Sequence, residues 1–142
     1  MSSLVTCRGR RRVGKSTLVE EFARRSGARF IKIEGLRPGK KTTAADELRA
    51  FARQLARQTE AAKEPQEDWY SAFGALAEQI RDKERTVVLL DEVSWLAHGD
   101  ETFADYLKIA WDNSLKKHDR LILVVCGNVQ LLEPFTDRQT GL

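Results

Sequence analysis

Cysteine and long apolar runs are scarce in this sequence of 142 residues. With only two cysteines, Cys7 and Cys126, it does not supply a disulfide framework. Both lie in apolar, strand-like runs, where a buried thiol is a simpler interpretation than a metal ligand or a redox centre. No apolar run approaches the roughly 20 residues that span a bilayer, and the N-terminal residues do not resemble a secretory signal. We therefore expect a cytoplasmic protein that does not enter a membrane.

Acidic residues are scarce in the first part of the chain. Residues 1–57 carry fifteen Lys and Arg against five Asp and Glu, whereas residues 58–142 carry nine against sixteen. The net charge of +3 conceals this asymmetry. The basic excess is compatible with a nucleic-acid-binding surface and equally with solvated helix faces, so nucleic acid is a possible partner that the sequence does not support. The length fits one domain over residues 1–142.

One segment has the spacing of a phosphate-binding loop: glycine, four residues, then Gly-Lys-Ser. Glycines allow the backbone to curl so that successive N–H groups point toward phosphate oxygens. The side chain of Lys15 would reach the β- and γ-phosphates of a nucleotide, and the hydroxyl of Ser16 would bind Mg²⁺. The predicted nucleotide-binding residues are Gly9, Arg10, Arg11, Arg12, Val13, Gly14, Lys15, Ser16 and Thr17.

The neighbouring sequence provides the setting that such a loop requires. A short apolar, β-prone run, Ser3 to Cys7, precedes it, and Thr17 to Arg25 follows with apolar residues at helical spacing. The N-terminus of that helix adds a positive field for phosphates. The arginines of the loop could contact phosphate, but a solvated surface or a subunit contact is the simpler role.

The rest of the chain alternates between strand-like and helix-like segments. Strands are predicted over 29–35, 86–90 and 121–126, and the last two are continuously apolar, as in parallel strands buried on both faces. Helices are predicted after Thr43, after Asp68 and over about 101–117. Trp69 and Phe73 favour core packing over a stacking platform. This alternation predicts an α/β fold with helices on both faces of a mostly parallel sheet.

Polar side chains follow the two apolar strands where each one ends. Asp91 and Glu92 come directly after residues 86–90, and Asn128 follows residues 121–126. Ligands of open α/β sheets sit at this carboxyl edge. There Asp91 would bind Mg²⁺ together with Ser16, and Glu92 would polarise a water molecule against the γ-phosphate. An exposed acidic turn and an ordinary turn asparagine are the alternatives.

Four segments together resemble the prokaryotic ATPase family that is related to AAA+ and STAND proteins. These are the phosphate-loop segment, Leu-Leu-Asp-Glu-Val-Ser-Trp-Leu over 89–96, Ala-Trp-Asp-Asn over 110–113, and Leu-Ile-Leu-Val-Val-Cys-Gly over 121–127. The resemblance implies a P-loop NTPase sandwich with strand order 5-1-4-3-2, a Walker A motif at 9–16, a Walker B motif at Asp91 and Glu92, and a sensor at or near Asn128. The family commonly has Cys-Gly-Ser where this chain has Cys-Gly-Asn.

The same resemblance implies an incomplete core. Family members have a segment before the first strand, and they continue into an arginine, a fifth strand, a lid and an effector portion. We expect self-association to depend on those regions, which this chain lacks, with Arg138 the one nearby candidate for the arginine. The expected function is Mg²⁺-dependent binding and hydrolysis of ATP to ADP, with Lys15, Glu92 and Asn128 as catalytic residues. Two alternatives stay open: a nucleotide-gated switch with little turnover, and a small P-loop kinase.

Overall fold

The computed structural model describes residues 2–8 and 14–127. In this part of the chain four strands and five helices are present, and the alternation of strands with helices agrees with the sequence prediction. In chain order they are β1 (Ser3–Arg8), α1 (Lys15–Arg25), β2 (Arg29–Glu34), α2 (Ala44–Gln58), α3 (Trp69–Glu78), β3 (Thr86–Asp91), α4 (Val93–Leu96), α5 (Phe103–Asn113), a 3₁₀ turn (Leu115–Lys117) and β4 (Leu121–Gly127).

All four strands are parallel and form one sheet in the order β1-β4-β3-β2. The central strands β3 and β4 are the two continuously apolar segments, because both of their faces are covered. Strand β4 therefore lies between β1, which leads into the glycine-rich loop, and β3, which ends at Asp91. This order agrees with the predicted 5-1-4-3-2 sheet for the four strands that are described.

The helices form layers on both faces of the sheet. Helix α1 packs on one face through Ala23, while α2, α3 and α5 cover the other face. On that second face four aromatic rings pack with centroids 4.8–5.9 Å apart, mostly edge to face. Trp69 and Phe73 belong to this cluster and are fully buried, so their predicted core role is confirmed.

Two helices begin at the side chains that the sequence indicates. Thr43 accepts a hydrogen bond from the backbone N–H of Asp46, and Asp46 accepts one from the N–H of Thr43, which completes a capping box. Asp68 caps α3 by accepting from the N–H of Ser71. Each cap is worth about 1 kcal/mol of stability.

Two glutamines of α2 cover the outer edge of β2. Gln54 accepts from the backbone N–H of Glu34 and donates to its carbonyl, both at 2.9 Å. Gln58 pairs in the same way with the N–H and carbonyl of Lys32, at 2.9 and 2.7 Å. The two side-chain amides satisfy backbone groups that an edge strand would otherwise offer to another chain.

Several predicted boundaries differ from the structure, and β1, β3 and β4 each extend one residue further than predicted. The single helix expected over 101–117 is wrong, because α5 ends at Asn113 and a 3₁₀ turn follows Ser114. Helix α4 was not predicted, and α1 begins at Lys15, two residues before the expected start. The second strand ends at Glu34 rather than at Gly35. Within the described ranges, no helix combines the length and apolar character needed to cross a membrane.

Candidate nucleotide site

The N-terminus of α1 lies at the carboxyl edge of the sheet. Gly14 precedes the helix in the left-handed region, with φ 76° and ψ 19°. Among the described residues, a Cβ at Gly14 would meet no atom within 4 Å, and the left-handed backbone conformation itself favours glycine there. The first turn, which begins Lys15, Ser16, Thr17, contains no acidic side chain. The first N–H groups of a helix have no partner within the helix, and together with the helix dipole they favour an anion.

A second lysine reaches this first turn from the sheet. Lys32, in the middle of β2, places its Nζ 3.5 Å from the hydroxyl oxygen of Ser16. Lys32 was not among the predicted site residues, because a charged residue in a strand with alternating polar and apolar positions is expected to face solvent. Its proximity to Ser16 arises from the path of α1 across β2 and β3, which local sequence does not reveal.

The acidic pair lies at the end of β3 in an unusual backbone conformation. Asp91 is the last residue of the strand, and its Oδ1 accepts a hydrogen bond from the N–H of Glu92 at 2.9 Å. Glu92 has φ 54° and ψ 52°. Across residues 2–8 and 14–127, it is the one non-glycine residue with a positive φ. Such conformations cost on the order of 1–3 kcal/mol and cluster at functional sites, so this strain marks Glu92 as a candidate functional residue.

Two glycines hold the turn that carries Glu92. A Cβ on Gly35 would lie 2.6 Å from the carbonyl oxygen of Glu92 and 2.7 Å from the N of Leu96. A Cβ on Gly127 would lie 2.7 Å from Cγ2 of Val93. The backbone of Gly35 also donates to the carbonyl of Asp91 at 3.0 Å. The first turn of α4 is therefore fitted between the ends of β2 and β4, and both positions require glycine for space.

A buried glutamate fixes the segment that follows Gly35. Glu47 of α2 is fully buried, and its Oε1 accepts from the N–H of Leu36 at 2.9 Å. Burial raises the pKa of Glu47, while the Leu36 hydrogen bond and the charge of His98 act in the opposite direction. Sequence reasoning missed Glu47, because an acidic residue beside the apolar stripe of an amphipathic helix is usually exposed and carries no signal of burial.

The cysteine of β4 lies between the two halves of the site. Cys126 pairs in register with Cys7 of β1, and neighbouring residues of β3 and β4 pair up to Leu90 and Val125. Burial is the main cause of a raised pKa of Cys126; contacts with Cys7 and the charge of Asp91 add to it, and the charge of Lys15 lowers it. The pKa of Cys126 is thus affected by charges on both α1 and β3. Adjacent strands lie about 4.8 Å apart, so β1 and β3 end roughly 10 Å from each other.

The residues of this edge fit a magnesium ion of the kind that a nucleotide brings. In the described ranges, no group of three or more His, Cys, Asp or Glu side chains is arranged to hold a metal. Mg²⁺ is usually held by one or two protein oxygens together with phosphates and water. Ser16 and Asp91 offer that donor set, a hydroxyl and a carboxylate from two elements of one sheet edge.

Part of the predicted site lies outside the described residues. This applies to Gly9, Arg10, Arg11, Arg12 and Val13 of the loop, and to Asn128. The structure does place Gly14, Lys15, Ser16 and Thr17 at the start of α1, and Asp91 and Glu92 at the end of β3. The predicted roles of all these residues stay predictions.

The sheet order and the glycine-capped helix after β1 define an α/β P-loop NTPase fold. The family model described as "AAA domain" matches residues 2–134. Because the match extends over most of the 142 residues, the chain belongs to this family of P-loop ATPases. The resemblance seen in the sequence is thereby confirmed at the level of an AAA-type ATPase. A comparison with curated proteins found no match.

Proposed function

We propose that this chain binds Mg²⁺-ATP at the carboxyl edge of its sheet and hydrolyses it to ADP and phosphate. One observation carries the proposal: β1 and β3 direct a helix N-terminus and a strained acidic residue to the same edge, with β4 between them. Membership of an AAA-type family supports nucleotide binding. The strain at Glu92 supports chemistry there beyond binding.

Each residue has a role that follows from its position. The α1 N–H groups and the ammonium of Lys15 bind the β- and γ-phosphates. Ser16 and Asp91 would hold Mg²⁺, which would supply positive charge to the phosphates. Glu92 accepts a proton from the water molecule that attacks the γ-phosphate. Asn128, by its place after β4, would orient that water or bind the γ-phosphate.

The two alternatives predict different products. A P-loop kinase transfers the γ-phosphate to a bound acceptor and does not need a water-activating carboxylate after the strand aspartate, so Glu92 favours hydrolysis. A nucleotide-gated switch would bind ATP with little turnover. Self-association that supplies an arginine in trans, for which Arg138 is a candidate, would raise the rate by about 10³–10⁵. Product analysis with labelled ATP separates free phosphate from a phosphorylated acceptor.

Calorimetry on a Lys15→Ala variant tests the binding part of the proposal. Charge-assisted hydrogen bonds contribute roughly 1.5–3 kcal/mol, so we expect an affinity loss of about ten- to a hundredfold. Lys117→Ala removes an exposed lysine from the 3₁₀ turn and serves as the matched control. Equal affinities of wild type and Lys15→Ala would rule out the assigned phosphate contact.

A further inference from the structure

The outer face of α2 forms one wall of a basic cleft that the nucleotide site does not use. The cleft has a volume of about 580 Å³ and opens between α2 and the segment that follows β2. Four arginines line it, against two acidic residues, Glu34 and Asp46. We call this cleft the arginine groove and define it by Arg37, Arg49, Arg53 and Arg57.

Three of these arginines form a regular row. Arg49, Arg53 and Arg57 are four residues apart on one helix, so successive side chains start about 6 Å apart along its axis. All three are exposed. A second cleft of about 530 Å³ shares Arg53 and Arg57 and continues to Lys63. The basic path therefore extends beyond the end of α2.

The positive charge of the row is only partly balanced. Arg49 forms an ion pair with Asp46 at 2.7 Å, and the same carboxylate belongs to the capping box of α2. Arg53 and Arg57 form no ion pair with another residue in ranges 2–8 and 14–127. Like charges on neighbouring turns of a helix destabilise it by a few tenths of a kcal/mol. The row thus has a small cost to folding, and among the described residues only Arg49 has an ion-pair partner that offsets it.

We propose that the arginine groove binds a single strand of nucleic acid through its phosphates. A guanidinium presents a fork of donors that matches phosphate oxygens, and equal steps between cations suit a polymer with one charge per unit. The groove contains no aromatic side chain, so contacts go to the backbone and binding is independent of sequence. A positively charged groove that follows the nucleic-acid backbone is typical of proteins that bind single strands without sequence preference.

This surface is separate from the proposed ATP site but starts beside it. Glu34 lines the groove and pairs in register with Asp91, so one end of the groove lies one strand away from the acidic pair. The sequence alone does not indicate that these arginines bind nucleic acid, because an exposed basic stripe on an amphipathic helix is most simply explained as a solvated face. The added observation is that the stripe forms the wall of a cleft with Arg37 opposite.

Fluorescence anisotropy with the whole chain, without nucleotide, tests the proposal. The probe is a labelled single-stranded DNA of mixed sequence and about 16 nucleotides, the upper end of the site size of one binding module. The variant Arg53→Gln with Arg57→Gln should bind about tenfold or more weakly at roughly 50 mM salt. Its slope of log affinity against log salt should be shallower by about 1.4, because two phosphate contacts are lost.

The matched control is Lys116→Gln with Lys117→Gln, which removes the same charge from exposed residues of the 3₁₀ turn. We expect the control to bind the probe as wild type does, and circular dichroism should show that both double variants are folded. Equal losses in the two variants would overturn the proposal. The proposal would also be overturned if wild type bound a duplex of the same length, or polyglutamate, as tightly as the single-stranded probe or more tightly. This experiment omits ATP, so its outcome is independent of the proposed ATPase activity.

Discussion

The ammonium of Lys32 has the same sign as the metal ion expected at Ser16. Its Nζ lies 3.5 Å from the Ser16 hydroxyl, so an ion bound to that hydroxyl would lie close to the ammonium and be repelled by it. Repulsion between a single and a double charge about 5 Å apart costs on the order of 1–2 kcal/mol at the dielectric constant of water.

Replacing Lys32 with Met should therefore lower the Mg²⁺ concentration needed for half-maximal ATP binding, by roughly tenfold. A titration of Mg²⁺ at fixed ATP measures this, with Lys40→Met as an exposed control. If Mg²⁺ dependence stayed the same and ATP affinity fell, the ammonium of Lys32 would instead be a phosphate ligand.

Glu47 makes stability depend on pH. Its folded pKa is raised, chiefly by burial and to a smaller extent by Asp46, so the folded state favours the protonated form. The contribution of Glu47 to the free energy of unfolding is therefore complete below its pKa in the unfolded chain. It is lost as the pH rises through its pKa in the folded state. Glu47→Gln keeps an oxygen for the N–H of Leu36 and does not titrate.

The free energy of unfolding of wild type, relative to Glu47→Gln, should fall as the pH rises above the ordinary pKa of a glutamate, about 4.3. Urea unfolding at several pH values measures the difference. Glu78→Gln, which removes an exposed carboxyl group at the end of α3, is the control. A difference between wild type and Glu47→Gln that did not change with pH would contradict the raised pKa.

At the scale of elements, the short helix α4 depends on contacts that are remote in sequence. Its first turn fits only because Gly35 and Gly127 leave room for it. We expect Gly35→Ala to destabilise the fold by about 1–3 kcal/mol, because the methyl group would overlap backbone atoms. Displacing the turn should also reduce ATP hydrolysis.

The control for Gly35→Ala is Gly74→Ala in α3, where an added Cβ meets nothing within 4 Å. There alanine should stabilise the helix by about 0.5–1 kcal/mol. Thermal unfolding of both variants gives the comparison. Unchanged stability of Gly35→Ala would show that the segment after β2 adapts and does not fix Glu92.

The elements also show where sequence reasoning succeeds. The starts of α2 and α3 were predictable because Thr43, Asp46 and Asp68 form capping hydrogen bonds with backbone groups only three residues away in sequence. The central strands were predictable because burial on both faces leaves a continuous apolar run. The break in the helix at Ser114 was not predictable from the sequence. The apolar spacing continues through Leu115, which is buried as the first residue of the 3₁₀ turn.

At the scale of the whole molecule, sheet order is what joins the separate motifs. The phosphate-loop pattern and the acidic pair are recognisable in the sequence, but Lys32, Gly35 and Glu47 enter the site only through the arrangement of strands and helices. The same arrangement turns the outer stripe of α2 into a groove. Contacts of this kind depend on the positions of several elements at once, which no local pattern encodes.

The central claim is that Glu92 activates water for attack on ATP bound at the carboxyl edge. The most direct test is phosphate release from Mg²⁺-ATP under single-turnover conditions, for wild type and Glu92→Gln, with ATP affinity measured in parallel. Glutamine is nearly isosteric with glutamate but a poor base, so we expect the variant to bind ATP as wild type does and to release phosphate about 10²–10⁴-fold more slowly. Phosphate release by Glu92→Gln at the wild-type rate would contradict the account.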